Sequence, residues 1–292
     1  MLEVIQDTLI DSIKLLPFLL LTYVILEYIE HKMGEKSKQT IQKSGKFGPL
    51  IGSILGVFPQ CGFSVSATNL YAGRVITLGT LIAVYLSTSD EMLPIFISEA
   101  VSPWIILKIL GIKLLIGMIA GFVIDLVARF WRKKNKKNKQ EEKTEESIEH
   151  LCEHDHCHCE EGSIWKSALS HTLHIFLFIM IITFVINVIV YFIGEENISH
   201  LMLNQPILGP IIAGAVGLIP NCAASVIITN LYLENVISAA SMIAGLLTGA
   251  GVGLAVLFKT NRGLKQNIKI VGLLYVIGVI SGLLLEWIGI AF

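Results

Sequence analysis

Apolar residues run almost unbroken through positions 13–29, 105–127, 175–193 and 271–290. A helix needs about 20 apolar residues to cross a hydrocarbon core about 30 Å thick, so each run predicts a membrane-spanning helix. The stretch 48–98 is equally apolar but is interrupted at Pro59, at the Gly73–Arg74 pair and at residues 87–91. It predicts helices broken at those points, because proline removes a backbone donor and glycine weakens a helix interior.

Sliding the sequence against itself by 161 positions aligns GPLIGSILGVFPQCGFSVSATNLY (48–71) with GPIIAGAVGLIPNCAASVIITNLY (209–232), with 12 of 24 positions identical. The same offset pairs Lys108 with Lys269, Gly111 with Gly272, Gly117 with Gly278, Gly121 with Gly282 and Asp125 with Glu286. At an offset of 160 the first apolar run follows, with Asp11 opposite His171, Lys14 opposite His174 and Glu27 opposite Asn187. The chain is therefore expected to hold a first transmembrane repeat (1–130), a linker (131–163) and a second transmembrane repeat (164–292).

Composition supports the membrane assignment: 53% of the 292 residues are hydrophobic and 15% charged, with mean hydropathy +0.70, where soluble domains carry about a quarter charged residues. The residues before the first apolar run, MLEVIQDTLIDSI, lack the basic region of a cleaved signal peptide, so the first helix is expected to be retained. Eighteen of the 22 Lys and Arg residues fall in three segments, 31–46, 129–166 and 259–269, whereas 98–102 and 194–206 hold none. Positive segments stay on the cytoplasmic side, which places the linker inside. The equivalent loops 31–46 and 194–206 then lie on opposite sides, so the repeats are expected to be inverted, with an odd number of crossings each. Stretch 48–98 is either three short crossings or one crossing plus a re-entrant hairpin. Three crossings make ten helices, two inverted repeats of five, with both termini external.

The shared break reads F-P-Q-C-G in the first half and I-P-N-C-A in the second. Inverted repeats with interrupted helices bind substrate near the midplane, where the two breaks face each other. Pro59 and Pro220 each free a carbonyl, Gln60 and Asn221 add carboxamide oxygens, and Cys61 and Cys222 add thiols that become soft ligands once deprotonated. Ser64, Thr68 and Asn69, mirrored by Ser225, Thr229 and Asn230, extend the polar face at helical spacing. Together these twelve residues are the expected transport pocket. Pro and small polar residues also aid packing between membrane helices, but packing does not call for a duplicated P-x-C with adjacent carboxamides.

Asp90 and Glu91 align with Gly251 and Val252, so this acidic pair exists in one half alone. Ionisable groups at membrane depth mark ion or proton pathways, which makes the pair candidates for coupling; a helix end in interfacial water is the other possibility. His171 and His174 share one helix face near its cytoplasmic end, as a metal-entry pair or simply a hydrogen-bonding one. In the linker, Cys152, His154, His156, Cys157, His158 and Cys159 crowd eight positions. Any four could wrap a tetrahedral ion such as zinc, and a cytosolic location argues against disulfides.

The runs LLPFLLLTYVILEYIEHK, PQCGFSVSATNLYAGRVITLGTLIAVYLSTSDEMLP and CEHDHCHCEEGSIWKSALSHTLHI resemble a bacterial family of ten-helix heavy-metal exporters, whose members carry labels such as arsenic efflux protein or manganese transporter. The resemblance spans nearly the whole chain and implies efflux of a metal or metalloid across the bacterial plasma membrane.

The expected function is a secondary transporter exporting a divalent transition metal such as Mn, Zn or Fe(II), with possible proton coupling and no required cofactor. No nucleotide-binding G-x-x-x-x-G-K-[ST] motif is present. The bilayer and the metal ion are the expected partners, with no nucleic acid, and oligomeric state is not legible. An arsenite or arsenical permease is the nearest alternative. A membrane thiol–disulfide relay between Cys61 and Cys222 is the alternative of another class.

Overall fold

A computed structural model describes residues 47–58, 61–89, 91–135, 164–193, 207–261 and 263–289, with nine positions between Ile13 and Ile25. Among the described residues every regular element is helical. The elements are α1 (Gly48–Gly56), α2 (Gly62–Ala72), α3 (Leu78–Ser87), α4 (Met92–Ser98) and α5 (Pro103–Asn135), then α6 (Ile164–Ile193), α7 (Leu208–Gly217), α8 (Cys222–Leu233), α9 (Ala239–Thr248), α10 (Val252–Thr260) and α11 (Leu264–Ile288). Among the described residues four helical runs are long and apolar enough to cross a membrane: Leu78–Ser98, Pro103–Trp131, Ala239–Thr260 and Leu264–Ile288. The chain is an all-α, multi-pass membrane protein with broken helices.

The 161-residue offset that aligns the sequences also aligns α1 to α5 with α7 to α11, and it extends to individual hydrogen bonds. Thr77 caps α3 by accepting from Thr80 N at 3.1 Å, and Ser238 caps α9 by accepting from Ser241 N at 3.2 Å. Behind each cap stands a carboxylate from the long last helix: Asp125 accepts from Thr77 Oγ1 and Glu286 from Ser238 Oγ, both at 2.7 Å. The turn ahead of each cap passes through a left-handed residue, Arg74 and Asn235, each at φ 59°.

Close contacts set the helix directions. From Gly48 to Gly52 to Gly56, α1 meets Thr80, then Val84, then Ser87, so it runs parallel to α3. α2 enters α3 through the tight Gly73–Arg74 turn, with Thr68 against Tyr85, so it runs antiparallel to α3. Thus α1 and α2 form a hairpin, and Phe58 packs on Phe63 across it at 5.9 Å between ring centroids. At 1.5 Å per residue these helices of 9 and 11 residues reach about 14 and 17 Å, half a hydrocarbon core. Neither is long enough to cross, so of the two expectations for 48–98 the lengths favour one crossing plus a hairpin.

α5 lies antiparallel along α3, with Gly121 against Gly79 and Gly117 against Ala83 and Leu86. The contact needs small residues: a Cβ on Gly79 would overlap the Gly121 carbonyl, and one on Gly121 would stand 2.6 Å from the Gly79 carbonyl. The halves interlock through their short helices, since α2 packs along α10 and α8 along α4. Gln266 Nε2, at the start of α11, donates to Tyr71 Oη near the end of α2 at 2.6 Å.

Candidate functional site

The first hairpin helices end at Gly56 and Gly217, each three residues ahead of a proline in the sequence. α2 restarts with Cys61 at its N-cap and α8 after Asn221 at its own. The two restarts face each other: Cys61 Sγ and Cys222 Sγ lie 4.0 Å apart, both buried and neither in a disulfide. A disulfide requires about 2.05 Å, so this is a contact between two separate sulfurs.

Apolar side chains pack around the pair. Leu19, Tyr23, Val65, Ile175, Ile179, Val252 and Val256 pack with the cysteines as one buried apolar cluster. On each side a ladder of hydroxyls climbs away from the sulfur. Ser64 donates to the Cys61 carbonyl at 2.7 Å and Thr68 to the Ser64 carbonyl at 2.7 Å; Ser225 donates to the Cys222 carbonyl at 2.8 Å and Thr229 to the Ser225 carbonyl at 2.7 Å. In the first half the ladder reaches the other repeat, where Thr68 Oγ1 and Tyr85 Oη lie 2.6 Å apart and each is 3.2 Å from the Gly253 carbonyl oxygen.

The remaining expected pocket residues divide by position. Asn221 is buried, Pro220 is half-buried and Asn230 is exposed. Asn69 is 2% exposed, and among the described residues neither its carboxamide nitrogen nor its oxygen has a hydrogen-bond partner. Leaving such groups buried and unpaired costs about 1–3 kcal/mol each. Pro59 and Gln60 lie outside the described residues, as do Asp90 and the linker residues Cys152, His154, His156, Cys157, His158 and Cys159. Glu91 is half-buried at the N-cap of α4. His174 is exposed on α6; His171 shares that helix but its side chain lies outside the description. Among the described residues no three His, Cys, Asp or Glu side chains group as metal ligands.

One charged residue absent from the expected set stands out. Lys113 in α5 is fully buried and its ammonium donates to the carbonyl of Thr88, where α3 breaks before α4. The sequence carried a signal for it, a lysine inside the apolar run 105–127, where charge is costly. Its counterpart at the repeat offset is Leu274, so the duplication gave it no weight.

No curated protein and no solved structure matches the chain. A family model does: residues 1–195, which span the first repeat, the linker and the whole of α6, match the family described as "Putative, 10TM heavy-metal exporter". That description agrees with an all-helical, multi-pass membrane chain, and this protein belongs to that family of heavy-metal exporters.

Proposed function

We propose that the protein is a secondary transporter that exports a heavy-metal ion by alternating access between two inverted repeats, with Cys61 and Cys222 at the carrying site. The observation that supports this most is the 4.0 Å separation of two buried thiols at the tips of two hairpins. Two sulfurs each about 2.3 Å from one zinc-sized ion stand about 3.8 Å apart at a tetrahedral angle and about 4.6 Å apart when collinear. The observed spacing falls between them, so one ion can bridge the pair with little movement.

Inversion is supported by the bond from Gln266 to Tyr71. α3 leads away from the Gly73 turn and α4 ends at its far end, whereas α10, the counterpart of α4, ends beside that turn. Equivalent helices thus finish at opposite ends. Hairpins entering from the two sides and meeting at their tips place the thiols near the midplane, where inverted-repeat transporters bind cargo.

Among divalent candidates, paired thiolates favour Zn over Mn, whose preferred ligands are oxygens such as the carboxamides of Gln60, Asn69 and Asn221. Arsenite is the second reading, favoured by the same thiol pair, because a neutral trivalent species needs no carboxylate. Asp90 and Glu91 at the α3–α4 break are the groups proposed to couple transport to protons. The Cys- and His-rich linker is proposed to bind metal on the cytoplasmic side, with His171 and His174 near the point of entry and both termini outside the plasma membrane.

The test is flux of Mn, Zn, Fe(II) and arsenite, each alone, in proteoliposomes with and without a pH gradient. Flux of at least one that is lost in Cys61→Ser/Cys222→Ser supports the carrying site. Undiminished flux in that double variant refutes it, along with the arsenite reading and the thiol relay. Proton-driven flux that survives Asp90→Asn refutes Asp90 as the coupling group.

A further inference from the structure

α2 and α8 carry matching residues in matching order, yet the two are not buried alike. At four-residue spacing Cys61, at the N-cap, then Val65 and Asn69 mark one face of α2, and Cys222, Val226 and Asn230 mark the equivalent face of α8. The first three are all buried. In the second set Cys222 is buried, Val226 half-buried and Asn230 exposed. Neighbouring pairs follow the same trend: Ser64 is fully buried and Ser225 half-buried, Tyr71 buried and Tyr232 half-buried. Because Cys61 and Cys222 meet in the interior, both faces look between the halves and not at lipid. The space beside α2 is closed, and that beside α8 is open.

What closes the first half is specific to it. Gly253 lets α10 approach α2 until a Cβ on it would stand 3.0 Å from Ser64 Cβ. Tyr85 Oη and Thr68 Oγ1 lie 2.6 Å apart and each is 3.2 Å from the Gly253 carbonyl oxygen, so a hydroxyl from α3 ties α2 to α10. Further along, Gln266 Nε2 donates to Tyr71 Oη at 2.6 Å. At the repeat offset Tyr85, Gln266 and Gly253 become Leu246, Ile105 and Met92. Leucine and isoleucine have no side-chain donor, so these ties have no counterpart in the second half. Opposing closure is Asn69, whose carboxamide is buried and, among the described residues, unpaired at both ends. Opening would return it to water and relieve that penalty.

We propose that Tyr85 is the latch of a gate between α2 and α10, shut in this conformation, while the equivalent gate between α8 and α4 stands open. This rests on the transport reading above. On the orientation given there the shut gate is the cytosolic one, since α2 returns toward the basic segment 259–269, and the conformation faces outward. Cargo from the cytosol passes Asn69, about 12 Å along α2 from Cys61, once α2 parts from α10. Tyr85 is a positioning residue that holds α2 against α10 without touching the cargo. Its latch is made of uncharged groups, so it serves a metal cation and neutral arsenite alike.

The experiment reads the two gates by side-specific labelling. Asn69→Cys and Asn230→Cys are introduced singly into the full chain in sealed vesicles of either orientation, and a membrane-impermeant maleimide is added. Modification at each position is counted by peptide mass spectrometry, so the native cysteines stay in place. Asn230→Cys should react from outside at least about tenfold faster than Asn69→Cys from the cytosol, because a minor conformation is populated to about 10% or less. Adding Tyr85→Phe should raise cytosolic labelling of Asn69→Cys by about 2–10-fold, the factor that one net hydrogen bond represents, and slow that of Asn230→Cys. Ser53→Cys, buried on α1 against Gly117 of α5, should stay unlabelled throughout. Should Tyr85→Phe not be recovered, Thr68→Val removes the other hydroxyl and gives the same comparison. Equal labelling of the two positions without Tyr85→Phe overturns the proposal, as does no effect of Tyr85→Phe. A rise at Ser53→Cys together with Asn69→Cys is general loosening and overturns it too. Zinc and arsenite flux in the same vesicles separates the readings. Flux without the labelling contrast refutes the gate alone; the contrast without flux of either cargo refutes the transport reading and, with it, the gate's part in cargo entry.

Discussion

Replacing Cys61 or Cys222 by serine exchanges a soft ligand for a hard one at nearly constant shape, which makes the pair suitable for a double-mutant cycle. The sulfurs lie 4.0 Å apart, and two ligands about 2.3 Å from a shared ion at that spacing subtend about 120° at the metal. That angle suits a three-coordinate or opened tetrahedral site, and it makes the ligands act as one unit. Loss of even an outer-sphere partner costs a metal site about 10–100-fold in affinity, so loss of one direct sulfur should cost at least that much. Because the remaining thiol cannot chelate alone, the second replacement should add no more than about threefold, which is a strongly non-additive cycle of the kind expected for residues in contact. The assay is initial zinc flux against concentration in proteoliposomes for wild type, both single variants and the double variant, read as flux capacity over half-saturation. Two small losses that multiply in the double variant would mean that the sulfurs act independently, and the shared-ion geometry would be wrong.

Three further outcomes follow from the same contacts. Diamide oxidation should close the thiols from 4.0 Å toward the disulfide length of about 2.05 Å, abolishing flux until dithiothreitol is added, with the Cys61–Cys222 peptide pair found by mass spectrometry; continued flux with that crosslink in place would refute a mobile site. Asn69→Leu removes a buried carboxamide with no partner and should raise thermal stability, by about 1–3 kcal/mol for each group relieved, while lowering flux; a fall in stability would contradict the unpaired state. Gly121→Ala forces a methyl to within 2.8 Å of Pro49 and 2.6 Å of the Gly79 carbonyl, an overpacking expected to cost about 1–3 kcal/mol and visible as a lower unfolding temperature in detergent.

The fold was legible in the sequence wherever the two halves agree. Apolar run length marked the long helices α5, α6 and α11, and the 161-residue offset marked the breaks and the two cysteines without any coordinates. Direction inside 48–98 was not legible. Helices of 9 and 11 residues satisfy the same apolar pattern whether they cross or fold back, and the choice is made by contacts such as Gly56 on Ser87, between residues about thirty positions apart. The approach of Cys61 to Cys222 was inferred from inversion, but its closeness depends on small residues such as Gly253, against Ser64, that let α2 lie against α10.

Lys113 was missed for a physical reason that bears on function. Duplication preserves what both halves need in order to fold, so matching positions report mainly on scaffold and on the shared pocket. A transporter with two identical halves has no internal reason to treat inward and outward states differently, whereas a charge placed in one half biases them. Lys113 opposite Leu274, with Asp90 and Glu91 opposite Gly251 and Val252, places three such differences near one break. The thiols, shared by both halves, suit the holding of cargo; the unshared charges suit the setting of direction. Transferring the lysine, as Lys113→Leu with Leu274→Lys, should therefore alter the ratio of efflux to influx more than the affinity for metal. Unchanged asymmetry with reduced affinity would assign Lys113 to the cargo site instead.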